Sequence, residues 1–189
     1  MLICKILNRL CHGTCRSDKG VLPLTVTKEF GSDVAWGHDA DGEVSREILH
    51  LEEAFPEGGL VTTIVDYLKF INHLTSRFNE GDPTVQSMLT PSVVASDLAN
   101  RGQMRWGLGW GVEQAGLGSR FWHTGSNGSF KSFVIFSPEQ ESLLLFFANA
   151  VNGLEIITGL LDITIGATPL SGLYQPTISN SIQRSTAGR

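Results

Sequence analysis

RFWHTGSNGSFKSFVIFSPEQESLLLFFAN, residues 120–149, is the stretch on which the fold turns. It holds three apolar runs, residues 120–124, 129–136 and 143–149, rich in aromatic and β-branched or leucine side chains and separated by segments of Gly, Ser, Asn, Pro and Glu. Such runs read as strands. The connections are too short for the crossover that a parallel pair needs, so the strands form an antiparallel meander. In residues 129–136, Phe130, Val134 and Phe136 fall on one face and Phe133 and Ile135 on the other, and residues 143–149 are almost wholly apolar. A strand apolar on both faces needs cover on both.

The cover lies on either side in the chain. Leu154, Ile157, Leu161 and Ile165, with Leu160 beside them, recur at helical spacing directly after the last run. Upstream, Gly58 and Gly59 permit a turn, and Thr62 or Thr63 offers an N-cap with Asp66 three residues beyond Thr63. Ile64, Leu68, Ile71 and Leu74, with Val65 and Phe78, then mark an amphipathic helix that ends before Gly81-Asp82-Pro83. Residues 84–100 predict short helical turns interrupted at Pro91, and residues 106–113 a further strand. Residues 22–27 and 32–38 are weaker strand candidates. The fold class is α+β, an antiparallel meander with helices packed on it.

The 189 residues carry a net charge of −5 with 17% charged residues and a mean hydropathy of +0.03. One domain, or a large piece of one, fits this length. An acidic balance argues against a nucleic-acid binder, and no apolar run approaches the length that spans a bilayer. Lys5, Arg9, Arg16 and Lys19 against Asp18 make residues 1–20 a basic leader of +3 on a body of −8. Leu2, Ile3, Ile6, Leu7 and Leu10 fit a short amphipathic helix there, but Lys5 and Asn8 interrupt any secretory core. Residues 167–189, with Pro169, Pro176, seven Ser or Thr and no acidic residue, have the composition of a disordered tail. The body is then residues 21–166.

Cys4, Cys11 and Cys15 fit neither a disulfide framework nor a zinc site. Asp39, Asp41 and Glu43 beside His38 lack the full calcium-loop pattern and read as a solvated turn. His12, His50 and His73 have no partners at ligand spacing. No metal or cofactor is implied.

Taken in order, three elements resemble the serine β-lactamase-related family, which takes in class C β-lactamases, D-alanyl-D-alanine peptidases, D-aminopeptidases and esterases. Phe55-Pro56-Glu57-Gly58-Gly59-Leu60-Val61-Thr62-Thr63, with Asp66 and Phe70, resembles its glycine-rich loop and following helix. Trp106-Gly107-Leu108-Gly109-Trp110 is similar to its Gly-x-Gly-Trp strand, and His123-Thr124-Gly125, followed by Gly128 and Phe130, to its Lys/His-Thr-Gly strand and turn. Asn149 also fits. The resemblance spans residues 21–166 and implies amide or ester hydrolysis through an acyl-enzyme, with the backbone N–H of Ser126 aimed at the oxyanion. It implies that His123 and Thr124 contact a small amide or ester ligand.

One part of the family pattern is missing. The family's nucleophile sits in Ser-x-x-Lys, supported by Tyr-x-Asn or Ser-x-Asn, both N-terminal to the glycine-rich loop. No serine here has a lysine three residues on, Thr25-x-x-Lys28 is the nearest imitation, and neither Tyr67 nor Tyr174 precedes an Asn at the second position. The chain therefore reads as the C-terminal part of the fold, with no catalytic residue of its own and inactive alone. The alternative is a non-catalytic remnant that binds a ligand or partner. Loss of the helical region predicts exposed apolar surface, and with it a complementing chain or an oligomer. Whether Lys131 faces a cleft or solvent is left open by the sequence.

Overall fold

The computed structural model describes residues 35–45, 60, 62–94, 104–115 and 118–166. The leader, the strand candidate at residues 22–27, most of the glycine-rich loop, the three cysteines, His12, His50 and the tail lie outside the described residues.

A short ribbon comes first, β1 (Gly37–His38) paired antiparallel with β2 (Val44–Ser45). Two helices follow, α1 (Ile64–Asn79) and α2 (Pro83–Leu89). The six strands of the main sheet then run in chain order, each antiparallel to the last: β3 (Val93–Val94), β4 (Met104–Trp106), β5 (Gly111–Ala115), β6 (Gly118–Asn127), β7 (Phe130–Ser137) and β8 (Ser142–Ala148). A 3₁₀ turn (Gly153–Ile156) leads into α3 (Ile157–Thr164). This is the predicted meander, and the chain is a mixed α+β fold.

Both faces of the sheet are covered. On one, Phe70, Ile71 and Leu74 of α1 and Val85, Met88 and Leu89 of α2 pack on Trp110, Val112, Phe121, Val134 and Phe136. On the other, Ile157 and Leu161 of α3 pack on Trp122, Phe133 and Ile135. The face assignment of β7 and the stripe of α3 are those the sequence predicts.

The start of α1 is also as expected. Thr63 caps it, its hydroxyl oxygen accepting the Asp66 N–H at 3.1 Å while the hydroxyl donates to the Asp66 carboxylate at 3.1 Å. The buried face is the expected one at Ile71, Leu74 and Phe78 and differs toward the N-terminus. Tyr67 and Phe70 turn toward the sheet, whereas Ile64, Val65 and Leu68 are 47%, 58% and 38% exposed. Apolar residues occupy more than one stripe of this helix, and the sheet can take only one; the aromatic stripe fills more space and wins.

A second difference concerns residues 106–113, which the sequence predicts as one strand. They are the end of β4 and the start of β5, joined by a turn at residues 107–110. The glycines explain it. A Cβ on Gly107 would lie 2.5 Å from the Met88 carbonyl oxygen at the end of α2, and Gly109 adopts φ +84°. Strand β5 then begins where a Cβ on Gly111 would meet the Trp122 indole at 2.2 Å. Trp122 is itself buried and edge-on to Trp106, with ring centroids 5.1 Å apart. Gly111→Ala is therefore expected to cost about 1–3 kcal/mol by forcing that indole out of place, measurable by chemical denaturation with an unchanged m-value.

Tyr67 lies 5.5 Å from Phe70 and 5.7 Å from Phe147, ring centroid to centroid, and burial pushes its phenol up to about 12. Between the ordinary tyrosine value and that figure the unfolded chain releases a proton that the native chain keeps. Stability should fall with rising pH across that window, and Tyr67→Phe should abolish this slope in denaturation curves measured at successive pH values.

Candidate active-site strand

The site is built from the hairpin of β6 and β7. Asn127 stands opposite Phe130, so the loop is the two residues Gly128 and Ser129, and Gly128 has φ +52°. A positive φ at the first central position is what a type II′ turn requires. Such a turn closes on a hydrogen-bonded pair, and pairs then alternate along the ladder. Asn127, Gly125, His123 and Phe121 thus direct their backbone groups at β7. Thr124 and Ser126 direct theirs to the opposite side, where β5 would pair with them.

Strand β5 does not reach that far. Its first residue, Gly111, stands opposite Trp122, and the turn at residues 107–110 carries the chain back to β4, with the Gly107 N–H donating to the Trp110 carbonyl at 2.8 Å. Among the described residues nothing pairs with the N–H and C=O groups of Thr124 and Ser126. Among the described residues this leaves a short open strand edge, with the Ser126 N–H at its outer end.

The four residues that the sequence singles out are consecutive on β6, but their side chains divide between the two faces. His123 shares the face of Phe121 and Val134. Its ring is open to solvent on one side and lies 6.3 Å from the Trp106 ring and 6.1 Å from Trp110, centroid to centroid. Partial desolvation among these indoles holds its pKa below the ordinary histidine value. Thr124 and Ser126 lie on the face of Trp122. The Thr124 hydroxyl donates to the Ser132 carbonyl at 3.3 Å, and a Cβ on Gly125 would sit 2.4 Å from the Ser132 hydroxyl oxygen.

Lys131 belongs to this site. It stands directly opposite Ser126 and donates from Nζ to the Ser126 hydroxyl oxygen at 2.9 Å and to the Gly128 carbonyl. Its stem lies against Gly153, where an added Cβ would be 3.2 Å from the Lys131 Cγ. The sequence left its direction open, although a signal was present. Reading Gly128 and Ser129 as a two-residue turn fixes the register and places Lys131 across from Ser126.

Near the far end of β8, the His38 N–H donates to the Asn149 carbonyl at 2.7 Å, and the Asn149 amide Nδ2 donates to the Trp36 carbonyl at 2.6 Å. Asn149 thus holds the first ribbon to the sheet. The Asp39 carboxylate accepts the N–H groups of Asp41 and Glu43 at 3.0 and 2.9 Å, which is the chemistry of a turn. Among the described residues no helix is long and apolar enough to cross a membrane.

Comparison with known proteins bears on the family and the fold. The family model described as Beta-lactamase matches residues 24–157. Among solved structures, the octameric penicillin-binding protein homologue from Pyrococcus abyssi is similar with a TM-score of 0.61 and 21% identity, over 78% of this chain and 34% of that one. That likeness bears on the fold, and the chain spans about a third of the length of this relative. No match was found among curated proteins.

Proposed function

The chain belongs to the Beta-lactamase family, and from that premise we propose that it carries the oxyanion-donor strand of a serine hydrolase acting on a small amide or ester, without completing turnover alone. The observation that carries this reading is the open edge of β6. A backbone N–H fixed by a sheet needs no reorganisation when negative charge develops on an acyl oxygen beside it, and one such donor contributes about 3 kcal/mol to lowering a barrier. In this reading Ser126 is the donor, Gly125 keeps the strand clear of Ser132, and His123 and Thr124 border the ligand. His123 meets it as a neutral imidazole at pH 7, a hydrogen-bonding group rather than a fixed cation.

A donor needs a nucleophile to act on. The 189 residues contain no Ser-x-x-Lys and no Tyr-x-Asn, so the attacking serine comes from a segment outside these residues, of the same protein or of a complementing chain. Residues 21–166 are the working unit, and residues 1–20 and 167–189 are appendages to it. One observation favours the second reading, a ligand-binding remnant without chemistry. The hydroxyls of Thr124 and Ser126 are already engaged, by the Ser132 carbonyl and by Lys131.

The test is hydrolysis of a chromogenic β-lactam and a short-chain p-nitrophenyl ester, with a fluorophosphonate serine label in parallel and the amide spectrum followed by NMR. No turnover, no labelled serine and a ligand-dependent shift of the Ser126 amide are expected. Turnover with a labelled serine overturns the claim that the chain is incomplete. An unmoved Ser126 amide overturns its role as donor.

A further inference from the structure

Ser126 and Lys131 stand opposite one another on β6 and β7, and the turn at Gly128 makes theirs a non-hydrogen-bonded pair, in which the backbone groups of both residues point away from each other. At this pair the strands are joined through side chains instead. Lys131 Nζ donates to the Ser126 hydroxyl oxygen at 2.9 Å and to the Gly128 carbonyl, so one ammonium holds both the strand and the turn that ends it. The stem of the same lysine is held from the other side. Lys131 stands opposite Ala148 on β8, and Gly153, at the start of the 3₁₀ turn, is buried against both. A Cβ on Gly153 would lie 2.6 Å from the Ala148 Cβ, and 3.2 and 3.5 Å from the Lys131 Cγ and Cβ. The bare Cα therefore lets the 3₁₀ turn close on the lysine stem. A lysine loses more rotamer freedom than most side chains when it is fixed, and packing the stem takes up part of that loss before the head reaches Ser126.

We propose that Lys131 is the positioning residue of the Ser126 donor, a strut that runs from Gly153 across β7 and fixes residue 126 through its hydroxyl. The inference rests on the reading of Ser126 as oxyanion donor and adds the group that keeps this donor preorganised. An N–H lowers a barrier only insofar as it already points to where charge develops, and Ser126 lies two residues before Gly128, at the end of a hairpin, where opening costs least. Ladder bonds to β7 fix Gly125 and Asn127 on either side. The ammonium supplies the hold at Ser126 itself. The engaged Ser126 hydroxyl is then part of the donor's support rather than an obstacle to a ligand.

The test uses the full chain and needs no turnover. Backbone nitrogen relaxation gives the order parameter of amide 126 without ligand in the parent protein and in three variants. Lys131→Met keeps the stem and removes the ammonium, Ser126→Ala keeps the N–H and removes the hydroxyl, and the third variant combines them. A parent value of about 0.85 should fall toward roughly 0.6 in each single variant. The double variant should be no lower than Lys131→Met, since the hydroxyl has nothing to hold once the ammonium is gone. Denaturation midpoints should stay close to the parent's, while titration with the chromogenic β-lactam, followed at amide 126, should show about threefold to tenfold weaker binding in Lys131→Met. An order parameter that Lys131→Met leaves unchanged overturns the inference and leaves the donor reading standing, as does a loss that the two substitutions make additively. A loss of order with binding unchanged would make the lysine a structural clamp and overturns its positioning role. An amide unmoved by the β-lactam in the parent overturns the donor reading, and the inference with it.

Discussion

Replacing Glu113 with alanine is expected to lower the unfolding free energy by about 3–5 kcal/mol, a fall in Tm of roughly 6–20 °C for a chain of this size. The Glu113 side chain is 1% exposed and Arg120, directly opposite on β6, is 14% exposed, with Nη1 3.5 Å from Oε1. Arg120 also donates from Nη2 to the Ile165 carbonyl at 3.2 Å, just past the end of α3. It therefore joins two strands and a helix end. Removing Glu113 leaves a largely buried guanidinium and removing Arg120 takes a cation from beside a fully buried carboxylate, so Arg120→Ala should also be strongly destabilising. The double variant Glu113→Met, Arg120→Leu should recover most of the loss, because an apolar pair of similar volume carries no desolvation cost. Thermal unfolding of the four proteins makes a double-mutant cycle; additive losses in it would show that the two side chains do not act as a pair.

Trp110→Ala is expected to cost a similar amount, about 3–5 kcal/mol, and to change the candidate site as well. Trp110 is 1% exposed and edge-on to Phe136, with centroids 5.2 Å apart. Its indole N–H meets no acceptor among the described residues. Trp110→Phe gives up no hydrogen bond and should be much milder. Because Trp110 is one of the rings that desolvate His123, its removal should also let the imidazole titrate nearer its ordinary value, which NMR of the ring protons follows directly. The linkage has a definite sign. With the native pKa depressed, the unfolded chain takes up a proton that the native chain refuses as pH falls through the ordinary histidine range, so stability falls there and does so less steeply in the variant. An unmoved His123 midpoint in Trp110→Ala would remove the indole as a cause of the shift.

Much of the fold was legible because its signals are local. Strand alternation in residues 129–136, the Thr63 and Asp66 cap and the stripe of α3 each depend on neighbours a few residues apart. The reading failed where two answers satisfy the local pattern. Residues 106–113 look like one strand until the Met88 carbonyl is seen against Gly107, a contact across 19 positions of sequence. The apolar residues of α1 define two stripes, and only the sheet beneath decides between them. Within the site, the motif singled out Ser126, but that no described strand pairs with its N–H follows from where β5 stops. Lys131 and the Glu113 and Arg120 pair are cross-strand neighbours, visible only once the register is known.

The two-residue turn at Gly128 and Ser129 also constrains which length changes this chain can tolerate. Side chains alternate along a strand, so losing or gaining one residue in that turn would turn β7 over against β6. Phe133 and Ile135 would then face α1 and α2, and Lys131 would leave Ser126 for the face of His123. Every apolar contact of β7 would change partner at once, and β8, tied to it residue by residue, would have to follow or detach. Indels in this hairpin should therefore survive only in steps that preserve parity. Inheritance by descent would leave the spacing between His123 and Ser132 fixed even where the residues themselves have changed.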